Sequence, residues 1–219
     1  MMSTRRETIR RIAEALRSLY PEREALQIAR ILVAERSGLT PTELLVNSDE
    51  TVRIEGLEEQ IAALAAGRPL QYVLGCTEFC GLRIGVREGV LIPRPETEEL
   101  VMRIVRQAPP SPTVLDIGTG SGCIAIALDR LIAGAEVHAV DLSERALAIA
   151  RENAAALGSG VRFFRADALG DLHEAAGRQY DIIVSNPPYV PAGDRPAMRR
   201  NVTGYEPAEA LFVPDDDPL

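Results

Sequence analysis

The sequence predicts an α/β fold: a parallel sheet with crossover helices, preceded by an N-terminal helical bundle and joined to it by a β-hairpin. Three observations carry this reading. Residues 1–75 repeat apolar side chains at helical spacing, residues 76–94 switch to short apolar runs among glycines, and from Thr113 onward short strands alternate with helical segments. Such alternation implies right-handed crossovers and a parallel sheet.

In the bundle, Ile9, Ile12, Ala13, Leu16, Leu19 and Tyr20 form one apolar face, and Ala25, Ile28, Ala29, Leu32 and Val33 form a second after Pro21. Gly38 suits the end of the second helix. Thr40-Pro41-Thr42-Glu43 is a capping box with Pro at the first helical position. A further helix is expected over 52–66, stopped by Gly67-Arg68-Pro69. Phe79, Leu82, Ile84, Val86, Val90, Leu91 and Ile92 lie among Gly81, Gly85 and Gly89, which reads as the hairpin. Pro93-Arg94-Pro95 opens a helix that runs to about Gln107, and the Pro-rich stretch 108–112 is a stiff connector.

Beyond the connector, strands are expected at 114–117, 137–140, 161–164 and 181–184, with helices at 123–131 and 143–157. The domain division is therefore 1–75, a link at 76–94, and a sheet domain at 95–219. The alternation halts after the fourth strand, which would leave an open apolar edge, so either the sheet domain is shortened, the favoured reading, or a partner covers the edge. Asp215-Asp216-Asp217 is expected to be loop.

Composition narrows the chemistry. The 219 residues are 46% hydrophobic and 26% charged, as in ordinary soluble globular chains. No apolar run approaches the ~20 residues of a membrane span, and the N-terminus lacks a signal-peptide block; a cytoplasmic location is expected. All 24 basic residues are arginine, which excludes a Schiff-base lysine and a complete Walker A loop. The two histidines, His138 and His173, cannot build a His-rich metal site, and no metal is expected. Cys76, Cys80 and Cys123 lack zinc spacing and read as reduced thiols. A net charge of −8 argues against a large nucleic-acid surface, although a local arginine patch stays open.

The strand ends carry the chemistry. The first runs into Asp116-Ile117-Gly118-Thr119-Gly120-Ser121-Gly122, where glycines let backbone approach a ligand. Cys123 stands where a dinucleotide fingerprint has its third glycine, so the nicotinamide reading weakens without closing. Asp141 ends the second strand, placed either to accept from ribose hydroxyls or to cap the next helix. Ala166-Asp167-Ala168 ends the third, with Asp167 either bonding an adenine amino group or solvated. The fourth ends in Ser185-Asn186-Pro187-Pro188-Tyr189. Two prolines stiffen that turn and remove two N–H donors, Asn186 offers an acceptor and a donor, and Tyr189 offers a flat face. The set suits a planar amide-like or amino-bearing group; a Pro-rich turn with an Asx cap is the bland alternative.

Asp116–Gly122 with Asp141 resembles the S-adenosyl-L-methionine site of class I methyltransferases, and Asn186–Tyr189 resembles the tetrapeptide of enzymes that methylate nitrogen on planar groups. With the helical N-terminal region and Leu91-Ile92-Pro93-Arg94-Pro95-Glu96-Thr97-Glu98, the chain is similar to the peptide chain release factor glutamine methyltransferases, the PrmC/HemK family. The similarity extends to Tyr205-Glu206-Pro207, and family members continue through further strands. It implies a partial Rossmann-like class I methyltransferase sheet and methyl transfer to the side-chain amide of the Gln in a Gly-Gly-Gln loop.

On that resemblance Asp116, Gly118, Thr119, Gly120, Ser121, Gly122, Asp141, Asp167, Ala168 and Asn186 would hold S-adenosyl-L-methionine. Asn186, Pro187, Pro188 and Tyr189 would be catalytic, and with Arg94 and Thr97 would receive the substrate. The helical domain would contact the release factor, with no nucleic acid or membrane partner. The tetrapeptide also occurs in adenine methyltransferases, so an adenine N6-methyltransferase stays open as an alternative, as does an inactive cofactor-binding fragment.

Overall fold

The computed structural model describes residues 3–170, 172 and 178–216; His173 and Asp217 lie outside the described residues. The chain divides into two compact units, Met1–Leu74 and Gly75–Leu219.

In the first unit, strand β1 (Ser3–Thr4) pairs antiparallel with β2 (Thr51–Val52). Helix α1 (Arg5–Leu16) starts on a reciprocal Thr4–Glu7 capping box, and α3 (Pro41–Val46) starts on the Thr40–Glu43 box, with Pro41 leading. Between them, α2 (Glu22–Ser37) ends on Gly38 in the left-handed region, at φ 64°. Helices α4 (Leu57–Ala65) and α5 (Leu70–Leu74) complete the unit. Ile12 and Leu16 of α1 share a buried core with Ala25, Ala29 and Leu32 of α2 and with Leu44 and Leu64. The small alanines let these helix backbones come close.

Two expectations are corrected here. Helix α1 stops at Leu16, because Pro21 disfavours helical geometry at Tyr20; the Leu19 and Tyr20 amides fold back onto the Leu16 carbonyl, and Leu19 is 47% exposed. The helix expected over 52–66 begins at Leu57. Val52 pairs in β2, and Gly56 at φ 61° cannot continue a right-handed helix.

The second unit opens with a hairpin, β3 (Cys76–Phe79) and β4 (Leu82–Gly85). Its two turn residues, Cys80 and Gly81, both have positive φ, as a tight twisted hairpin requires. Helix α6 (Pro95–Gln107) follows, then β5 (Thr113–Ile117), α7 (Cys123–Leu131), β6 (Glu136–Asp141), α8 (Glu144–Leu157), β7 (Arg162–Arg165) and β8 (Ile182–Ser185). The four strands β5 to β8 form a parallel sheet in the order β7-β6-β5-β8.

Strand β5 is central, and Val114, Leu115 and Asp116 are buried in succession, as expected of a strand covered on both faces. Helix α7 buries its first six residues, Cys123 to Leu128; Ile126→Ala would cost about 2–5 kcal/mol by the usual cavity penalty. His138 is buried on β6, its Nδ1 2.8 Å from the Tyr180 hydroxyl. Among the described residues β8 is an edge strand, with Ile183 63% exposed. Past β8, β9 (Val190–Pro191) pairs parallel with β10 (Phe212–Val213), and helix α9 (Arg200–Thr203) lies between them in sequence.

The strand order decides where a ligand can sit. From β5 the chain steps to β6 and β7 on one side and then crosses back to β8 on the other, which makes the carboxyl ends of β5 and β8 the switch point of the sheet. The glycine loop follows β5, and Asn186 follows β8.

Candidate active site

Asp116 comes off β5 wholly buried. Its Oδ2 accepts from the Thr119 hydroxyl at 2.6 Å. Burial pushes its pKa up to about 7; the Thr119 hydroxyl and the Ala125 amide oppose the rise, and the charge of Asp141 adds to it. Asp116 thus lies beneath the glycine loop and shapes it from inside.

The loop itself is tied to the second strand. Gly118 and Thr119 amides both donate to the Val140 carbonyl, at 2.9 and 3.0 Å, and the Gly120 amide donates to Asp141 Oδ2 at 2.8 Å. All three glycines have positive φ, but for different spatial reasons. A Cβ on Gly118 or Gly120 would meet nothing within 4 Å, so both border open space. A Cβ on Gly122 would lie 3.0 Å from the Ala150 Cβ and 3.1 Å from Ile126 Cδ1. Gly122 therefore serves the packing of α7 on α8. Ser121 is buried, and its hydroxyl faces the Cys123 thiol, whose pKa burial pushes up.

Asp141 accepts from Gly120 with one oxygen and from the Ser143 amide with the other, at 2.9 Å. The cap of α8 is Ser143, whose hydroxyl accepts from Ala146. Asp167 and Ala168 are exposed, and the Asp167 carboxylate accepts from the Leu169 amide two residues on.

On the other side of the switch point, the Ser185 hydroxyl donates to the Ile117 carbonyl at 2.8 Å and binds the end of β8 to β5. The Asn186 side-chain NH₂ faces Thr97 Oγ1 at 3.5 Å, the long end of hydrogen-bonding range. Thr97 is buried in the first turn of α6. Beside this pair is a cavity of about 190 Å³, bordered by Arg94, Thr97, Asn186, Pro187, Tyr189 and Leu211 among others. Pro188 is not in its wall, and the Tyr189 side of the cavity is open, with that residue 67% exposed. The structure thus brings Arg94 and Thr97, distant in sequence, to the tetrapeptide.

Two residues at this end of the sheet were not among the expected site residues, although Glu206 lies in the segment that carries the resemblance. Glu206 binds Arg94 and Ile92 from 112 and 114 positions away. Asn153 of α8 hydrogen-bonds both Gly85 and Ser121. A polar residue between Ala150 and Ala154 on a buried helix face was the only available hint for Asn153.

Residues 96–201 match the Methyltransferase small domain family, and residues 7–75 match the PrmC N-terminal domain family. The sheet and its glycine loop are those of a class I S-adenosylmethionine-dependent methyltransferase. Along most of its length the chain is similar to the release factor glutamine methyltransferase of Bacteroides thetaiotaomicron, with 44% identity covering 95% of this chain and 76% of that protein. The enzymes of the same name from Flavobacterium psychrophilum and Geobacter sulfurreducens are 39% and 42% identical, covering 94% and 93% of this chain and 74% and 73% of theirs. The chain belongs to the release factor glutamine methyltransferase family. No helix among the described residues is long and apolar enough to cross a membrane.

Proposed function

We propose that the chain transfers a methyl group from S-adenosylmethionine to the side-chain amide nitrogen of the Gln in the Gly-Gly-Gln loop of peptide chain release factors, in the cytoplasm. The observation that supports it most is the pairing of Asn186 with Thr97 at the wall of the cavity. With its NH₂ end on Thr97, Asn186 has its oxygen left to accept a hydrogen bond. That is the end an incoming carboxamide would use.

The residues present fit the cofactor. Gly118 and Gly120 border open space, and each Asp141 oxygen keeps a lone pair after its one bond. In this reading Asp116, Thr119 and Gly122 shape the loop, Asp141 holds the ribose, and Asp167 and Ala168 flank the adenine. When bound, S-adenosylmethionine supplies a methyl group already activated on a sulfonium.

The acceptor is the harder partner. An amide nitrogen delocalises its lone pair into the carbonyl, the same resonance that sets the ~18–20 kcal/mol barrier of a peptide bond. The Asn186 side-chain oxygen and the Pro187 carbonyl each accept one amide N–H. Together they aim the nitrogen and stabilise the positive charge that grows on it, with about 2.7–4 kcal/mol lost when one such dipole is removed. Pro187 and Pro188 keep the turn rigid, and the Tyr189 ring holds the planar group by its face. Arg94 and Thr97 complete the wall. No strong base is required, because the proton leaves after transfer. The helical domain, 1–75, engages the protein substrate, the segment 76–94 links it in sequence to the rest, and 95–219 is the catalytic domain.

Mass spectrometry of an intact release factor incubated with the protein and isotope-labelled cofactor tests the proposal. One labelled methyl on the Gln of the Gly-Gly-Gln loop is expected. An unlabelled release factor, or label on adenine in nucleic acid instead, would overturn it.

A further inference from the structure

We infer that Glu206 is a positioning residue of the cavity beside Asn186: by gripping Ile92 and Arg94 it sets the first turn of α6 and, through Thr97, the orientation of the Asn186 carboxamide. The inference rests on reading that cavity as the acceptor site.

The Glu206 side chain is 1% exposed. A buried carboxylate is costly unless both oxygens find partners, and a partner left alone is costlier still. Here one oxygen accepts from the Ile92 amide at 3.0 Å and the other from the Arg94 guanidinium at 2.6 Å. Those two residues bracket Pro93, and Pro95 opens the helix, so the corner has few other backbone donors. Arg94 is the N-cap residue of α6, with extended backbone and no side-chain cap bond. Its side chain reaches Glu206 instead.

From that corner a continuous run of hydrogen bonds leads to the tetrapeptide. The Thr97 amide donates to the Arg94 carbonyl at 3.0 Å, and Thr97 Oγ1 meets the Asn186 NH₂. The same glutamate precedes the opposite wall. Its amide donates to the Val202 carbonyl, and four to five residues later Ala210 and Leu211 border the cavity. One carboxylate therefore ties both walls.

The consequence is chemical. An Asn side chain has two orientations related by a half-turn, and only one presents oxygen to an amide N–H. In the structure Thr97 Oγ1 accepts from the NH₂, and that contact keeps the oxygen on the productive side. With α6 loosened, the carboxamide turns and sets donor against donor.

The experiment measures methyl transfer to an intact release factor by the wild-type chain, Glu206→Gln, Thr97→Val and the double variant, with cofactor affinity read by calorimetry. Glu206→Gln is expected to lower kcat about 10- to 100-fold, as small misplacements do, with cofactor affinity unchanged. The double variant should fall no further than the weaker single variant, because both act through one carboxamide. Wild-type kcat in Glu206→Gln, or losses that multiply, would overturn the inference. Should Glu206→Gln fail to fold, Arg94→Lys at its partly exposed site carries the same test through exchange, because Arg94 also borders the cavity: faster exchange over residues 91–97 supports the tie and wild-type exchange refutes it. Hydrogen exchange over residues 91–97 reads the tie without a release factor. Faster exchange in the variant is expected, and equal exchange would refute it. A wild-type chain that methylates no release factor overturns the acceptor reading alone, and the exchange result then still decides the tie.

Discussion

The Asn153 carboxamide donates to the Ser121 carbonyl at 2.8 Å and, with its oxygen and its other N–H, exchanges two hydrogen bonds with Gly85. One side chain on α8 thus fastens the hairpin strand β4 to the glycine loop. The fit is close: a Cβ on Gly85 would lie 2.7 Å from the Asn153 oxygen. Asn153→Ala leaves three partners unsatisfied in a buried place and should destabilise the chain by about 1–3 kcal/mol. The same change should weaken S-adenosylmethionine binding, since Ser121 loses its anchor. Urea unfolding and calorimetry check both; stability equal to wild type would refute the fastening role.

The three loop glycines should separate experimentally. Gly122→Ala places a methyl group against Ala150 and Ile126 at positive φ, so overpacking of about 1–3 kcal/mol adds to the backbone strain. Gly120→Ala carries only the left-handed cost of about 1–2 kcal/mol, because its methyl group enters open space. The expectation is a larger drop in melting temperature for Gly122→Ala and a larger loss of cofactor affinity per unit of lost stability for Gly120→Ala. Equal behaviour in both assays would show that the open space is not a binding space.

Asp116 makes stability depend on pH. Its folded pKa of about 7 lies above the ordinary 3.8, so the folded chain holds a proton that the unfolded chain releases between those values. The group's contribution is therefore fully present below about pH 4, falls by up to ~1.4 kcal/mol per pH unit as pH rises toward 7, and is lost above it. Asp116→Asn lacks this titration. Unfolding free energies measured from pH 5 to 8 should shift in favour of the variant up to pH 7 and then level off. Parallel profiles for the two proteins would contradict the buried acid.

Asn186→Ala should separate chemistry from cofactor binding. Removing one placed dipole costs about 10²–10³ in kcat when it acts on the reacting group. Calorimetry with S-adenosylmethionine should show a loss of affinity far smaller than the loss in single-turnover methyl transfer, because only one of many cofactor contacts is removed. Full transfer in this variant would remove Asn186 from the mechanism.

Much of this was legible in the residues because it depends on near neighbours. The capping box at Thr40, the left-handed stop at Gly38, the limits of α6 and α7 and the positions of the four sheet strands follow from patterns within a few positions along the chain. The glycine loop, Asp141 and Asn186–Tyr189 stand out for the same reason: each is a compact motif at a strand end. The start of α4 was missed because Val52 takes its partner in β1, at the far end of the unit.

By itself, then, the sequence determined the main helices, the hairpin, the four sheet strands, their order and the chemistry displayed at each strand end, but not the short elements such as β1, β2 and α5. Tertiary structure alone decided that Asp116 lies under its loop, that Gly122 serves packing, and that Thr97 and Glu206 stand behind Asn186 and Arg94. The reason is physical. A cap or a turn is paid for within a few residues, whereas a buried carboxylate such as Glu206 is tolerable only through partners 112 and 114 positions away, and no local pattern records which donors will be waiting there.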